Sequence, residues 1–218
     1  MSLDQIPRHV QASSEVVKIL GPSAISTILD LVCMAYHLTK DRDAIQPGMD
    51  EWEINEQLST AIAILSRHLP EASFAFCPLP EKPIPRSTHG KGKPSSIDIS
   101  FKYGFNRDVY YGMECKILRE GDHNLYREYI KNGVERFVSG TYSREMHSAA
   151  MIGYVMLGSL KTVGSDIARR LVQSASTITV RSGICVGDLQ DCLESAHRRS
   201  LAAKAIRLSH LMLDYCAG

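Results

Sequence analysis

Two segments near the middle of the chain alternate strictly between apolar and polar residues. In residues 96–101 every second side chain is apolar, and the same alternation runs from Tyr111 to Ile117. A period of two residues predicts a β-strand. The polar, glycine-containing segment 102–108 between them has the length of a hairpin loop rather than of a crossover. The pattern therefore predicts two neighbouring antiparallel strands.

Two carboxylates and one ammonium group are expected to converge on this hairpin. Glu114 and Lys116 are two residues apart, so they must point to the same side of the sheet, and a suitable register puts Asp98 beside them. A hard cation such as Mg2+ takes oxygen ligands, usually one or two carboxylates. Asp98, Glu114 and the main-chain carbonyl of Cys115 are therefore predicted metal ligands. The alternative is a cross-strand ion pair on a solvated face of the sheet.

Lys116 is the candidate for handling the attacking water. A metal ion would acidify a bound water molecule and offset negative charge on the phosphate. Lys116 could position that water or, with its pKa lowered by burial and by the nearby metal cation, help to deprotonate it. Together these groups predict metal-dependent cleavage of a phosphodiester bond.

At these residues the sequence resembles the PD-(D/E)xK nuclease superfamily, whose signature is an aspartate on one strand and a (D/E)xK tripeptide on the next. The matching residues are Asp98 and Glu114-Cys115-Lys116, whereas Ile97 stands where the signature has a proline. The resemblance implies a restriction-endonuclease-like fold, Mg2+ (or Mn2+) as cofactor and DNA, or alternatively RNA, as substrate. It also implies a homodimer or a partner protein, and a role in bacterial defence or in mobile elements.

A further carboxylate is expected from a helix predicted over residues 51–68. Asp50 stands where the N-cap should be, and Glu51 falls by its spacing on the apolar seam of this helix. That seam comprises Ile54, Leu58, Ala61 and Leu65. The resemblance places an acidic residue of this helix at the metal site, which matches Glu51, with Glu56 on a more polar face as the alternative. The other interpretation is that Glu51 only favours the first helical turn through the macrodipole.

Four basic residues are candidate contacts to nucleic-acid phosphates. Lys91 and Lys93 lie in a flexible basic stretch of the segment 77–94, where Pro78, Pro80, Pro83 and Pro85 predict a long irregular loop. Arg127 and Lys131 lie on the next predicted helix, over residues 124–138, which the resemblance places beside the active groove. For both pairs a solvated connection or helix face is the alternative.

The remaining patterns predict an α/β protein with a mixed central sheet flanked by helices. The continuously apolar segment 148–158 is typical of a central strand that is covered on both faces. Helices are expected over residues 23–39 and 166–174, a strand over 177–180, and a final hairpin from 193–199 and 205–215, with a helix as the alternative for the second segment. His197 and His210 in that hairpin are candidates for a general base, or for hydrogen-bonded structural residues.

Length and charge limit the possible functions. With 218 residues and 22% charged residues, the chain is predicted to be one globular domain. We divide it into an N-terminal helical segment (1–48), a nuclease-like core (49–160) and a C-terminal helix with strands (161–218). The net charge of +1 provides no global basic field, so phosphate attraction must come from a local patch. Near-neutral charge favours the competing hypothesis, a non-catalytic interaction subunit or nucleic-acid-binding protein with the same fold.

Several other function classes lack sequence support. The chain contains no GxxxxGK, GxGxxG or GxSxG motif, which disfavours kinases, dehydrogenases and serine hydrolases. Its six cysteines are scattered without a CxxC pair, as expected of thiols in a reducing cytoplasm. The N-terminus lacks a secretory signal, and the longest apolar run, near residues 149–158, is too short to cross a bilayer. We therefore expect a soluble cytoplasmic protein with no membrane partner.

Overall fold

The computed structural model describes residues 22–67, 77–83, 96–102, 110–143, 146–199 and 205–216. The strands are β1 (Cys77–Pro83), β2 (Ser96–Lys102), β3 (Tyr110–Arg119), β4 (Ser148–Leu157), β5 (Thr177–Val186), β6 (Leu189–His197) and β7 (Ile206–Asp214). The α-helices are α1 (Pro22–Asp41), α2 (Glu51–Ser66), α3 (His123–Glu128), α4 (Glu135–Val138) and α5 (Leu160–Gln173). A π-helix (Tyr129–Val134) joins α3 to α4.

The seven strands form one mixed sheet in the order β1-β2-β3-β4-β7-β6-β5. β4 is parallel to both of its neighbours, β3 and β7. The other adjacent pairs are antiparallel, including the predicted hairpins β2–β3 and β6–β7. The predicted fold class, a mixed sheet flanked by helices, is confirmed.

Strand β4 is buried on both faces, as its continuous apolar run predicts. Ile152 and Tyr154 belong to a core packed against α1 and α2. Met151 and Val155 point the opposite way, into a second core with the π-helix and α5. Full burial of each large apolar side chain contributes roughly 1.5–3 kcal/mol. The two cores hold the centre of the sheet rigidly, which fixes β3 beside β4.

Helix α2 begins at the predicted N-cap. The Asp50 Oδ1 atom accepts a hydrogen bond from Glu53 N at 2.9 Å, and Glu53 Oε2 accepts one from Asp50 N at 2.7 Å. This reciprocal capping box typically stabilises a helix by about 1 kcal/mol. Ile54 and Leu58 are fully buried on the sheet-facing side. The cap and the core contacts together fix the orientation of the first turn, which carries Glu51.

The prediction that prolines exclude regular structure from the whole segment 77–94 is wrong for residues 77–83. These residues form β1, which pairs antiparallel with β2 at one edge of the sheet. An edge strand leaves one side of its backbone without a sheet partner, so it tolerates residues that lack an N–H group. Pro78 and Pro80 are two residues apart, so the backbone nitrogen atoms of both can point away from β2.

The helix predicted over residues 124–138 is not regular. Asp122 caps it through Oδ1, which accepts from Asn124 N and Leu125 N at 3.0 and 3.1 Å. A π-helix follows, and Tyr126 of α3 and Tyr129 of the π-helix are fully buried, whereas Leu125 is only half-buried. Each π-turn shifts the helical face relative to a 3.6-residue period.

The C-terminal elements extend further than predicted. Helix α5 starts at Leu160, six residues before the predicted start, and β5 continues to Val186. β5 pairs with β6 around the turn at Gly187, a hairpin that the sequence patterns did not indicate. Of the helices in the described ranges, none combines the length and apolar character that crossing a membrane requires.

Candidate active site

The predicted cluster lies where β2 and β3 separate. Their pairing runs from Lys102 and Tyr110 to Ile99 and Met113. The main-chain pairing does not include Asp98, the residue next to Ile99. Instead, the Asp98 side chain contacts β3, where its Oδ2 atom accepts a hydrogen bond from Cys115 N at 2.7 Å. The antiparallel register thus brings Asp98 to the Glu114–Lys116 segment, as the sequence predicts.

Glu114 and Lys116 share one side of β3, and their side chains meet. Lys116 Nζ lies 3.1 Å from Glu114 Oε1, and the two side chains are only 13% and 3% exposed. Regular alternation along β3 is sufficient to put them together. The alternative of a solvated cross-strand ion pair is wrong for these two residues, because both are largely removed from water.

The Lys116 ammonium group also contacts two other oxygen atoms. It donates hydrogen bonds to Glu51 Oε1 at 2.6 Å and to the main-chain carbonyl oxygen of Cys115 at 2.7 Å. Glu51 comes from the first turn of α2, on the seam that its spacing predicts. The Lys116 ammonium therefore links the Glu51 carboxylate of α2 to two oxygens of β3, those of Glu114 and of the Cys115 carbonyl.

The buried carboxyl group of Glu114 has an unusual electrostatic environment. Burial, followed by the negative charge of Asp98, raises its pKa to about 8, although Lys116 and Arg136 act in the opposite direction. One of its oxygens, Oε2, is buried without a hydrogen-bond partner among the described residues. Since buried polar atoms are normally paired, this oxygen is available to a ligand.

The pKa of Lys116 differs from the sequence-based expectation. Burial by itself lowers the pKa of this ammonium, but the carboxylates of Glu114, Glu51 and Asp98 outweigh burial and raise it above its ordinary value. The net pKa of Lys116 is therefore not lowered by burial, and among the protein's own groups this side chain is a cation at neutral pH. In this environment Lys116 is a hydrogen-bond donor and not a base.

The donors at this site suit a hard divalent cation. Asp98, Glu114 and the Cys115 carbonyl offer carboxylate and carbonyl oxygens, which Mg2+ and Mn2+ prefer. The unpaired Glu114 Oε2 fits such a ligand role. Across the described ranges no three His, Cys, Asp or Glu side chains cluster as a metal site. A cation here would thus depend on two carboxylates, one carbonyl and water or substrate oxygens.

Two residues of the site were not predicted from the sequence. Arg136 Nη1 lies 3.6 Å from Glu114 Oε1 and donates a hydrogen bond to the hydroxyl of Tyr142. The Tyr142 hydroxyl in turn donates to the Ser96 carbonyl at 2.8 Å, next to the start of β2. The position of Arg136 depends on the π-helix before it, so no local sequence pattern indicates that it reaches Glu114.

The remaining candidate residues lie elsewhere. Glu56, the alternative to Glu51, is exposed on α2. Arg127 and Lys131 line a groove beside α5 rather than the carboxylate cluster. Lys91 and Lys93 fall in the segment 84–95, outside the described residues.

His197 and His210 belong to a second polar cluster inside the protein. Ser195 Oγ lies 2.7 Å from His197 Nε2 and 2.6 Å from His210 Nε2. The other ring nitrogen of His210 is 2.9 Å from the Tyr129 hydroxyl. Both histidines and Ser195 are fully buried. This burial supports the structural interpretation of the histidines, because a general base needs access to substrate.

We compared the chain with protein-family models, with curated proteins and with solved structures, and none of them matches it.

Proposed function

We propose that the chain is a Mg2+-dependent nuclease that hydrolyses phosphodiester bonds in DNA, with RNA as the alternative substrate. The observation that carries this proposal is the meeting of Asp98, Glu114 and Lys116 at the separation of two strands, where one buried oxygen of Glu114 has no hydrogen-bond partner in the described part of the chain. A buried carboxyl group with a raised pKa beside another carboxylate is a common feature of catalytic sites.

The metal ligands in this proposal are Asp98, Glu114 and the main-chain carbonyl of Cys115. When bound there, Mg2+ supplies a Lewis acid that acidifies a water molecule and offsets negative charge on the phosphate. These oxygens belong to a rigid strand pair, so they need little reorganisation when the substrate binds. Preorganised charge of this kind is usually the largest contribution to catalysis.

The cationic residues position the reacting groups. The Lys116 ammonium lies within hydrogen-bond distance of Glu51, Glu114 and the Cys115 carbonyl, and so can hold the attacking water or a phosphate oxygen in line. Arg136 adds a second positive charge 3.6 Å from Glu114 Oε1. Glu51 keeps the lysine in place from α2.

The alternative is a non-catalytic subunit or nucleic-acid-binding protein. It is favoured by the same lysine, because its ammonium already neutralises the oxygens that would hold a metal ion. A buried ion pair of this kind can serve structure alone. In that case the cluster would join α2 to the sheet and bind no metal.

A plasmid assay separates these hypotheses. Supercoiled DNA is incubated with the protein and Mg2+ or Mn2+, with EDTA as the blank, and labelled RNA is tested in parallel. We expect nicking by the wild type and a loss of at least 100-fold in Asp98→Asn, Glu114→Gln and Lys116→Met, in keeping with removal of a charge-stabilising group. Asp98→Asn retains an oxygen that can accept from Cys115 N.

Two matched variants provide the control. Glu56→Gln removes an exposed carboxylate from α2, and Lys161→Met removes an exposed ammonium from α5; both should cleave within about threefold of the wild type, because surface substitutions usually change little. Circular dichroism confirms the fold of each variant. No cleavage of DNA or RNA by the wild type, together with no Mn2+ binding by calorimetry, would favour the non-catalytic alternative.

A further inference from the structure

A groove of about 540 Å³ lies between the helical segment that follows β3 and the C-terminal end of α5. Its volume is in the usual range for small-molecule sites, roughly 300–1,000 Å³. The helical side of the groove includes two π-helix residues, Ile130 and Lys131. Because π-turns occur frequently at functional sites, this groove is a candidate binding site.

Positive charge dominates the groove. Arg127, Lys131 and Arg170 line it, and Glu135 is the one acidic side chain of its lining. Within the described ranges none of the three cations forms an ion pair with a carboxylate. Their charges are therefore not neutralised locally and attract anions.

Side chains other than carboxylates contact the two arginines. Arg170 Cζ lies 5.4 Å from the centre of the Tyr126 ring, and Arg170 Nη2 is 3.0 Å from His123 Nδ1. Arg127 Nη2 donates a hydrogen bond to Asn124 Oδ1 at 3.1 Å. The planar guanidinium group offers paired donors that match the oxygens of a phosphate.

The rest of the lining suits a ligand larger than a bare phosphate. Ile130 and Val138 contribute half-buried apolar surface, which can contact a base or a sugar. Ser174 and Ser176 also line the groove, and their hydroxyl oxygens are 3.0 Å apart. Hydroxyl groups of this kind can bind sugar or phosphate oxygens.

We propose that this groove binds a nucleotide through its phosphate, supplied either by a nucleic-acid strand or by a free nucleotide. The groove and the carboxylate cluster use different sides of one helical segment, since Arg136 contacts Glu114 while its neighbour Glu135 lines the groove. The inference thus goes beyond the proposed nuclease function, and binding can be measured without cleavage.

The test is carried out in EDTA, so that no divalent metal ion contributes. Fluorescence polarisation follows a labelled 12-nucleotide single strand, and calorimetry follows AMP and inorganic phosphate. In the double variant Arg127→Gln/Lys131→Gln we expect binding at least tenfold weaker than in the wild type. The slope of log affinity against log salt should also fall by about one for each lost phosphate contact. Both side chains are exposed, so the variant should fold normally.

Lys161→Gln is the matched control, because it removes an exposed charge from the first turn of α5. It lies 12 residues from Gln173 at the groove, roughly 18 Å at 1.5 Å per residue, and binding should stay within twofold of the wild type. Strand binding that the double variant loses, without AMP binding, supports a nucleic-acid ligand. AMP binding that displaces the strand and is lost in the double variant supports a free nucleotide.

Three results would overturn the groove proposal: no binding of strand or AMP by the wild type, equal loss in Lys161→Gln, or inorganic phosphate that binds as tightly as AMP. The outcome is separable from that of the nuclease assay. Binding that is lost in the double variant supports the groove even where plasmid DNA is not cleaved. Conversely, metal-dependent cleavage with no effect of the double variant on binding leaves the nuclease proposal standing and removes the groove.

Discussion

Lys116 determines the electrostatic state of the carboxylate cluster. Its ammonium lies within 3.1 Å of oxygens from Glu51, Cys115 and Glu114. A buried carboxylate without a counter-charge is strongly unfavourable. The Lys116 ammonium is a positive charge of the protein itself that balances the Glu114 carboxylate. A divalent cation would use the same Cys115 carbonyl oxygen and the same Glu114 carboxylate, through its Oε2 atom, and would therefore compete with the ammonium.

This competition predicts opposite effects of Lys116→Met on metal binding and on cleavage. Two unit charges about 4 Å apart interact by roughly 4 kcal/mol at an effective dielectric constant of 20, so removing the ammonium should strengthen Mn2+ binding at least tenfold. Cleavage should be lost, because no donor then positions the water. Calorimetry in two buffers of different ionisation enthalpy measures the affinity and the protons released, because the pKa of Glu114 is about 8 in the wild type and rises further without the Lys116 ammonium.

The control for this experiment is Lys161→Met, whose exposed ammonium lies on α5 away from the cluster. Its Mn2+ affinity should equal that of the wild type. Fluorescence of Trp52, the single tryptophan of the chain and the neighbour of Glu51, offers a second measure of metal binding. Unchanged or weaker Mn2+ binding in Lys116→Met would show that the lysine does not compete with a cation.

At the residue scale, the sequence predicts the groups that local spacing brings together. Strand alternation places Glu114 beside Lys116, and helical spacing turns Glu51 inward. Arg136 could not be found in this way, because it reaches Glu114 only after the π-helix has changed the helical face. The direction of the Lys116 pKa was also unpredictable, since it depends on three carboxylates from separate elements.

At the scale of elements, the turn from β4 into α5 is held by a residue from a distant part of the chain. Ser159 at the helix start makes no side-chain capping bond. Instead, Ser159 N donates to Glu120 Oε2 at 2.8 Å, and Glu120 N donates to the Leu157 carbonyl at 2.9 Å. Gly158 lies between these bonds with a φ of +95° and directly against the Glu120 side chain.

Gly158→Ala should therefore destabilise the protein more than an ordinary turn substitution. A positive φ costs an alanine roughly 1–2 kcal/mol, and the new methyl group would overlap Glu120, at a further cost of about 1–3 kcal/mol. We expect the free energy of unfolding to fall by about 2–5 kcal/mol. Urea denaturation followed by circular dichroism measures this change.

Gly121→Ala separates the two contributions. Gly121 has a φ of +78°, but a Cβ atom there would meet nothing within 4 Å. Its alanine variant should lose only the conformational part, roughly 1–2 kcal/mol. Equal losses in the two variants would show that the contact with Glu120 contributes nothing.

The same turn explains why sequence patterns place some element boundaries wrongly. The predicted start of α5 is late because Gly164 weakens the helical pattern and because the cap comes from Glu120, which follows the neighbouring strand β3. The edge strand β1 is not predicted because its prolines disfavour a strand in general. Prolines exclude only a strand that pairs on both sides, and β1 pairs only with β2 in the described sheet. Both errors arise from contacts that form between elements distant in sequence.

At the scale of the molecule, β7 connects the two halves of the sheet. It lies parallel to β4 on one side and antiparallel to β6 on the other. The apolar pattern identified each of these strands, but period alone does not order strands within a sheet. His210 of β7, Ser195 of β6 and Tyr129 of the π-helix meet in the buried polar cluster, which links the C-terminal strands to the segment that packs on Glu114.

This cluster predicts how the stability of the whole fold depends on pH. Burial lowers the pKa of His197 to about 4, and burial together with the neighbouring His197 lowers that of His210 to about 3. An unfolded histidine has a pKa of about 6.5, so below this pH the unfolded state takes up protons that the folded state does not. The contribution of the two neutral histidines to the free energy of unfolding is therefore fully present above about pH 6.5. It is lost as the pH decreases towards 4, by up to about 1.4 kcal/mol per pH unit for each histidine.

His210→Gln tests this dependence while retaining a polar side chain. At pH 7 the variant should be about 1–3 kcal/mol less stable than the wild type, because the hydrogen bonds to Ser195 and Tyr129 are altered. Between pH 6 and pH 4.5 its free energy of unfolding should fall less steeply with pH than that of the wild type. The difference in slope should correspond to about one proton taken up on unfolding, because one of the two titrating groups is absent. Urea denaturation at several pH values measures both effects.

His123→Gln controls for the general effects of acid, because His123 is exposed on α3 and the carboxylates that titrate in this range are the same in all three proteins. Its stability should follow the wild-type curve. A His210→Gln curve parallel to that of the wild type would mean that His210 can be protonated without unfolding. The buried cluster would then open to water in the native state, and the π-helix that contacts it through Tyr129 would be able to move relative to β3.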